Sequence, residues 1–188
     1  MRFLAAPLLA LLAAFAAGTA AAQDAVKVGL VVPLSGPWAR QGQVMRIGAE
    51  MAVEHINAQG GIDSLGGAQV ELVIVDTGDS VERAKNAAQR MIADHPDLVG
   101  VTGSYLSSFT LAVSEVTERA SLPMITLSYS DLITSRGFDF IFQTSPTGVQ
   151  QAEDALPLLL ELAASAGAEP PERVGIVMDS TAASVAFV

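Results

Sequence analysis

The sequence predicts an α/β fold: a Rossmann-like, doubly wound parallel sheet with helices on both faces. Two features of the chain predict it. Short runs rich in Val, Ile and Leu end at Gly, Pro, Asp or Ser, as buried strands do. Between these runs lie longer stretches whose apolar residues recur at helical spacing. Strands that alternate with helices form βαβ units, and their right-handed crossovers build a parallel sheet.

The predicted elements follow one another from residue 26 to the end of the chain. Breakers such as Pro33 and Gly60-Gly61 separate them. Pro157 is expected to kink the last long helix or to lie in a broken first turn. In chain order we predict a strand at 26–32, a helix at 39–58, a strand at 70–75, a helix capped by Ser80 and ending near 90, a strand at 98–101, a helix capped by Ser107 or Ser108, strands at 123–126 and 138–142, a helix at 150–166, a strand at 173–178 and a helix from 184.

Two of these helices carry an apolar stripe, which is typical of a face that packs on a core. The stripes consist of Val44, Ile47, Met51 and Ile56 in the first helix, and of Val81, Ala84, Ala88 and Met91 in the second.

Residues 1–22 are predicted to be a secretory signal peptide. A basic start at Arg2 precedes a short apolar segment at 3–17, which is too short for a membrane span, and Ala20-Ala21-Ala22 forms a small-residue cleavage site. We expect cleavage after Ala22 and no membrane insertion of the mature chain. The predicted location is the periplasm of a Gram-negative bacterium, with secretion into the medium as the alternative.

Composition excludes several classes of function. The formal net charge of −10 at pH 7 argues against partners such as nucleic acid or an anionic membrane surface. The absence of cysteine excludes disulfides, thiolate metal sites and cysteine nucleophiles.

No motif in the chain predicts catalysis, a cofactor or a metal. Asp76-Thr77-Gly78 matches the aspartic protease triplet, but those enzymes need two such carboxylates, so Asp76 is expected to be a turn residue. His55 and His95 lack partners at metal-ligand spacing. Neither a G-x-S-x-G elbow nor a Walker A loop is present, which disfavours an exported α/β hydrolase and a nucleotide site.

Hydroxyl side chains cluster where two neighbouring strands end. Ser104, Tyr105, Ser107 and Ser108 lie between a predicted strand and a helix, and the segment 128–130 follows the next strand. Serines at helix starts often serve only as caps. The alternative is a ligand site, because an exposed helix N-terminus and neutral hydroxyl donors suit a carboxylate.

The chain resembles the substrate-binding proteins of branched-chain amino acid ABC transporters, which are type I periplasmic binding proteins. The matches run in order along nearly all of the mature chain. They are VGLVVPLSGP at 28–37, INAQGGI at 56–62, DTGDS at 76–80 with Ala84 and Ala88, Gly103, Ser107-Ser108, and the segments 123–125, 136–138 and 173–177.

The resemblance implies two α/β lobes that close on a ligand in the cleft between them. It implies lobe 1 at 23–145 and the beginning of a truncated lobe 2 at 146–188. The sequence also stops inside an apolar helical pattern at 182–188, without Gly, Pro or a basic residue to close it. We therefore expect it to be an N-terminal fragment of a longer protein.

The resemblance also implies roles for individual residues. Ser107 matches the serine that holds the ligand carboxylate, while Ser128 and Ser130 match groups that meet its α-amino group. In the loop after the first strand, a family position that is often aromatic falls on Gln41, with Trp38 nearby. Tyr105 and Ser108 lie beside Ser107 in the segment after the third strand, and we expect them to contact the ligand as well. Ala183-Ser184 replaces an aromatic residue followed by Gly, and Tyr105 and Tyr129 add bulk. These departures count against leucine, isoleucine or valine as the ligand, and a different amino acid, an amide or an aromatic acid would also suit such a pocket.

The expected function is that of a periplasmic solute-binding component of an ABC importer, with the permease subunits as protein partners and no enzymatic activity. The alternative is a sensory or regulatory ligand-binding domain on the same fold, because fold alone does not separate the two. Neighbouring permease and ATPase genes would favour transport, and a receptor or kinase fused downstream would favour sensing.

Overall fold

The computed structural model describes residues 24–169, 171, 173 and 175–187, so the predicted signal peptide at 1–22 lies outside the described residues. Strands and helices alternate through most of this part of the chain, as predicted. The strands are β1 Val26–Val32, β2 Val70–Asp76, β3 Leu98–Gly103, β4 Met124–Thr126 and β5 Ile141–Gln143. The helices are α1 Ala39–Ala58, α2 Val81–Asp94, α3 Ser107–Arg119, α4 Gly148–Ser165 and α5 Ala182–Val185, with 3-10 turns at Asp63–Leu65 and Asp131–Ile133.

The five strands form one parallel sheet in the order β2-β1-β3-β4-β5, which confirms the predicted fold class. The chain leaves β1 to form β2 on one side and then crosses back to form β3 on the other. The carboxyl ends of β1 and β3 therefore diverge at a topological switch point. Doubly wound sheets bind their ligands in the crevice at such a point.

The core lies between the sheet and the helices α2 and α3. Val31, Val101 and Met124 from the strands pack with Met91 of α2 and Val113 of α3 in one buried cluster. Gly29 of β1 lets this layer close, because a Cβ added there would lie 2.8 Å from the Met91 sulfur. The predicted cap of α2 is confirmed: the Ser80 hydroxyl accepts a hydrogen bond from the Arg83 amide, and the helix continues to Asp94.

The apolar face predicted for α1 does not face the sheet. Val44, Ile47 and Met51 are 65%, 54% and 64% exposed. The helix instead turns its Gly42 side inward, where a Cβ would lie 1.9 Å from the Pro33 carbonyl oxygen. Close backbone contact at this glycine, and not the apolar stripe, sets the orientation of α1.

Two predictions for the last part of the chain are corrected. No strand forms among the described residues of 173–178, where Ile176 is 65% exposed and Val177 is fully exposed. A strand needs a hydrogen-bonded neighbour, and none of the described strands lies beside this segment. Pro157 does not lie in a broken first turn, because α4 begins at Gly148 and continues through it. Among the residues that the structure covers, no helix combines the length and apolarity that a membrane crossing requires.

Candidate ligand-binding cleft

A cleft of about 280 Å³ opens at the carboxyl edge of the sheet, beside the switch point. The segments after β1, β3 and β4 form one side, and the segment around α5 forms the other. Its lining consists of Trp38, Tyr105, Leu106, Ser107, Ser108 and Tyr129 on the first side, and of Asp179, Thr181, Ala183 and Ser184 on the second. Of the residues proposed from the sequence, the structure thus brings Trp38, Tyr105, Ser107 and Ser108 together in one cleft.

The N-terminus of α3 borders this cleft without a side-chain cap. Leu106, and not Ser107 or Ser108, is the N-cap residue, so the predicted capping role of these serines is wrong. The chain reaches Leu106 through Ser104 and Tyr105, whose φ angles of 72° and 54° are left-handed. Because leucine has no hydrogen-bond acceptor, its side chain leaves the N–H groups of the first turn free.

Ser107, the first residue of α3, links this turn to the segment after β4. Its hydroxyl oxygen accepts hydrogen bonds from the backbone amides of Tyr129 (3.2 Å) and Ser130 (3.3 Å). A hydroxyl has two acceptor positions and one proton to donate. The two amides fill the acceptor positions, so the Ser107 proton is the capacity that remains for a ligand.

Ser128 has a different environment. Its hydroxyl lies 2.7 Å from the Thr110 hydroxyl, accepts from Thr126 (3.1 Å) and donates to the Tyr105 carbonyl (3.3 Å). This buried network joins β4 to α3 and to the loop after β3. The Ser128 hydroxyl is therefore committed to protein partners, although Ser128 lines a smaller recess with Tyr105 and Tyr129.

The remaining predicted residues lie at or near the cleft. Ser108 is half-buried in its lining, and Ser130 is 1% exposed and contributes its backbone amide to Ser107. Gln41 does not line the cleft. It borders an adjacent recess with Tyr105, and its buried side-chain oxygen has no hydrogen-bond partner among the described residues.

Aromatic rings form much of the cleft wall. The Trp38 ring lies 5.9 Å from the Tyr105 ring, with an interplanar angle of 48°. Tyr129 meets Phe187 edge to face at 6.3 Å, which connects the wall to the segment around α5. Such surfaces pack against a flat ring or an aliphatic side chain.

Asp179 contributes a carboxylate to the lining that the sequence prediction missed. Hydrogen bonds from the Thr181 side chain, then from the Ser184 side chain and the Thr181 amide, lower the pKa of this carboxyl. The group is therefore charged at neutral pH. The sequence did contain a signal for this residue. Polar residues stand at 179–181 between an apolar run and the start of a helix, as they do after the third predicted strand. Among the described residues, no cluster of His, Asp or Glu is placed to hold a metal ion.

Comparison with known proteins gives concordant results. A family model described as periplasmic binding protein matches residues 25–187. The chain is 34% identical over 171 residues to Leu/Ile/Val-binding protein homolog 8 of Brucella abortus, a match that covers 87% of this chain and 40% of that protein. The chain thus spans less than half the length of the curated relatives it matches.

Solved structures show the same architecture. A solute-binding protein of an ABC transporter from R. palustris, in complex with 4-hydroxybenzoate, superposes with a TM-score of 0.69 at 26% identity, covering 87% of this chain and 41% of that one. The branched-chain amino acid transporter substrate-binding protein LivJ from Streptococcus pneumoniae, in complex with isoleucine, gives a TM-score of 0.61 at 29% identity, covering 66% and 35%. The chain therefore belongs to the periplasmic binding protein family, type I, a family of binding proteins and not of enzymes.

Proposed function

We propose that this protein is the solute-binding component of an ABC importer and that it captures an amino acid or a similar small carboxylate in the cleft. One observation carries the proposal: the uncapped N-terminus of α3 borders the cleft together with the Ser107 hydroxyl, whose proton is free to donate.

The N-terminus of α3 and the Ser107 hydroxyl together favour an anionic ligand. The first-turn N–H groups of a helix lack intrahelical partners, and the helix dipole places a partial positive charge beside them. A carboxylate accepts from these groups and from the Ser107 hydroxyl at once. Proteins use the same arrangement to bind phosphate and carboxylate groups.

The rest of the cleft suits a small organic group, such as an aromatic ring or an amino acid side chain, attached to that carboxylate. Trp38, Tyr105 and Tyr129 offer apolar surface, and Asp179 offers a negative charge on the opposite side. An aromatic acid would use the rings, whereas an amino acid would also place its ammonium group near Asp179. The relatives named above include proteins bound to each of these two ligand classes.

The proposed mechanism is capture followed by closure. Residues 23–145 belong to lobe 1 and residues 146–188 begin lobe 2, so the cleft lies where the two lobes meet. A ligand that contacts both lobes binds the closed state more tightly, and this differential affinity shifts the population towards closure. The closed protein would deliver its ligand to the permease subunits of the transporter, after export to the periplasm by the signal peptide at 1–22.

A thermal-shift screen of the full-length protein tests this function. The ligands are the common amino acids and the hydroxybenzoic acids, each paired as a control with its carboxamide, in which a neutral group replaces the carboxylate. A carboxylate present at a hundred times its Kd should stabilise the protein by about 2.7 kcal/mol, which raises Tm by several degrees. A screen in which no carboxylate raises Tm more than its amide contradicts the proposal.

A further inference from the structure

We propose that Asp76, at the end of β2, is the positioning residue for the aromatic wall of the cleft: its carboxylate holds the loop that carries Trp38. The consequence for ligand affinity rests on the function proposed above, whereas the positioning itself does not.

The Asp76 carboxylate is bonded mainly to a distant part of the chain. Its Oδ1 accepts from the backbone amides of Leu34 (2.7 Å) and Ser35 (3.2 Å), and its Oδ2 accepts from the Ser35 hydroxyl (2.6 Å). A further bond from the Gly78 amide (2.8 Å) closes a local turn. A turn residue needs only this last bond. The three bonds to Leu34 and Ser35 instead fasten the β1–α1 loop to the end of β2.

The backbone around Asp76 fixes the position of this connection along the strand direction. Asp76 is the register partner of Val32, the last residue of β1, and the Thr77 amide donates to the Val32 carbonyl (3.0 Å). The carboxylate therefore lies beside the point at which the β1–α1 loop begins. The loop is closely packed against the segment after β2, because a Cβ added at Gly36 (φ +78°) would lie 2.8 Å from Asp79 Cβ.

Trp38 depends on this loop for its position. It stands three residues after Ser35 and immediately before α1, and no described hydrogen bond involves its indole. Its ring is held by the path of its backbone and by contact with Tyr105 at 5.9 Å. Loosening the Asp76 bonds should therefore move the ring without removing a group from the cleft itself.

The charge of Asp76 strengthens the connection. Burial alone would raise the pKa of its carboxyl, but the bonds from Ser35, Gly78 and Leu34 outweigh burial and hold the pKa below its ordinary value. The loop residues 34–38 carry no charge. The ionisable groups nearby are Asp79, which pairs with Arg83 of α2 at 3.0 Å, and Arg90, Asp94 and His95, which border the groove beside Asp76. Asp76 is thus the anionic acceptor for the loop amides.

Acrylamide quenching of tryptophan fluorescence tests the positioning without any ligand, because Trp38 is the only tryptophan in the 188-residue chain. The ring is now 37% exposed, so its release should raise the quenching constant by about twofold. We expect the constant to increase from the parent protein to Asp76→Asn, which keeps one acceptor oxygen, and further to Asp76→Ala. Asp97→Ala is the matched control, since that carboxylate pairs with Lys27 (2.8 Å) at the amino ends of β1 and β3, away from the cleft.

Circular dichroism establishes that each variant is folded. If Asp76→Ala does not fold, Ser35→Ala serves in its place; it removes the 2.6 Å bond alone and should give a smaller rise in quenching. Quenching that is unchanged in the folded Asp76 and Ser35 variants, or that rises equally in Asp97→Ala, overturns the proposal.

A second measurement connects the positioning to binding and uses the full-length protein and its variants, with isoleucine and 4-hydroxybenzoate as calorimetric probes. Whichever probe the parent protein binds should bind about tenfold more weakly to Asp76→Asn, and Asp97→Ala should retain the parent affinity. A parent protein that binds no carboxylate ligand defeats the proposed function, while the quenching result still decides the role of Asp76. A quenching rise with unchanged affinity overturns the link to the cleft wall.

Discussion

The Ser107 hydroxyl accepts a hydrogen bond from the Tyr129 backbone amide at 3.2 Å and a second one from the next amide along the chain. One side chain at the start of α3 thereby fixes the segment that follows β4. The same side chain keeps one proton at the cleft, so its structural role and its proposed role in binding use different parts of the hydroxyl group.

Replacement of Ser107 by Ala should destabilise the protein, because two backbone amides would lose their acceptor. The expected loss in the free energy of unfolding is about 1–3 kcal/mol, measured by urea denaturation. Ser108→Ala is the matched comparison, since Ser108 lines the same cleft and makes none of the described side-chain hydrogen bonds. Equal stabilities for the two variants would contradict the geometry given for Ser107.

Ser104→Gly should stabilise the protein by about 1 kcal/mol, since glycine adopts the left-handed conformation without steric cost. Ser104 has φ 72°, and its fully buried hydroxyl has no partner among the described residues. Ser104→Ala removes the hydroxyl but keeps the unfavourable φ, so it should gain less in thermal denaturation. A lower Tm for Ser104→Gly would show that the hydroxyl has a partner, such as bound water.

Ser128→Ala should lower the free energy of unfolding by about 1–3 kcal/mol, because the buried Thr110 and Thr126 hydroxyls would lose their common partner. Ligand affinity should change less than in Ser107→Ala, since the Ser128 hydroxyl bonds to protein groups. Parallel denaturation and calorimetry measure both effects. A large loss of affinity with unchanged stability would assign Ser128 directly to the ligand.

The contribution of Asp76 to stability should disappear in acid. Its pKa in the folded protein lies below the ordinary value of 3.8, because hydrogen bonds outweigh burial. The unfolded chain therefore binds more protons than the folded protein as the pH falls past that value. The stabilisation is complete above the unfolded pKa and is lost as the pH falls through the folded one. The stability difference between the parent protein and Asp76→Asn should stay constant above about pH 5 and shrink as the pH falls below about 4 in denaturant titrations. A difference that does not change with pH would assign the effect to packing.

Much of the sheet was predictable from residue types, because the stiff β-branched side chains in short runs such as Val26–Val32 favour strands over helices. The orientation of α1 was not. Periodicity identified Val44, Ile47 and Met51 as one stripe, but the contact between Gly42 and Pro33 turns that stripe away from the sheet. Long-range backbone approaches of this kind leave no periodic signal in the sequence.

The sequence indicated which residues come together, but not how they are bonded. Hydroxyls at neighbouring strand ends pointed to the end of the sheet where the cleft opens, and their role in ligand binding stays a prediction. The bond from Tyr129 to Ser107, however, depends on the left-handed turn at Ser104 and Tyr105, which neither residue type favours. The bonds from Asp76 to the β1–α1 loop join residues that are far apart in the sequence, 41 positions in the case of Ser35, so the local triplet Asp76-Thr77-Gly78 indicated only a turn.

The most direct test compares a bound carboxylic acid with its neutral amide by calorimetry, in the parent protein and in Ser107→Ala. If the α3 N-terminus and Ser107 hold the carboxylate, the parent protein should bind the acid at least about tenfold more tightly than the amide. In Ser107→Ala that preference should fall severalfold. Equal affinities for acid and amide in the parent protein, or an unchanged preference in Ser107→Ala, would contradict the assignment of this cleft as a carboxylate site.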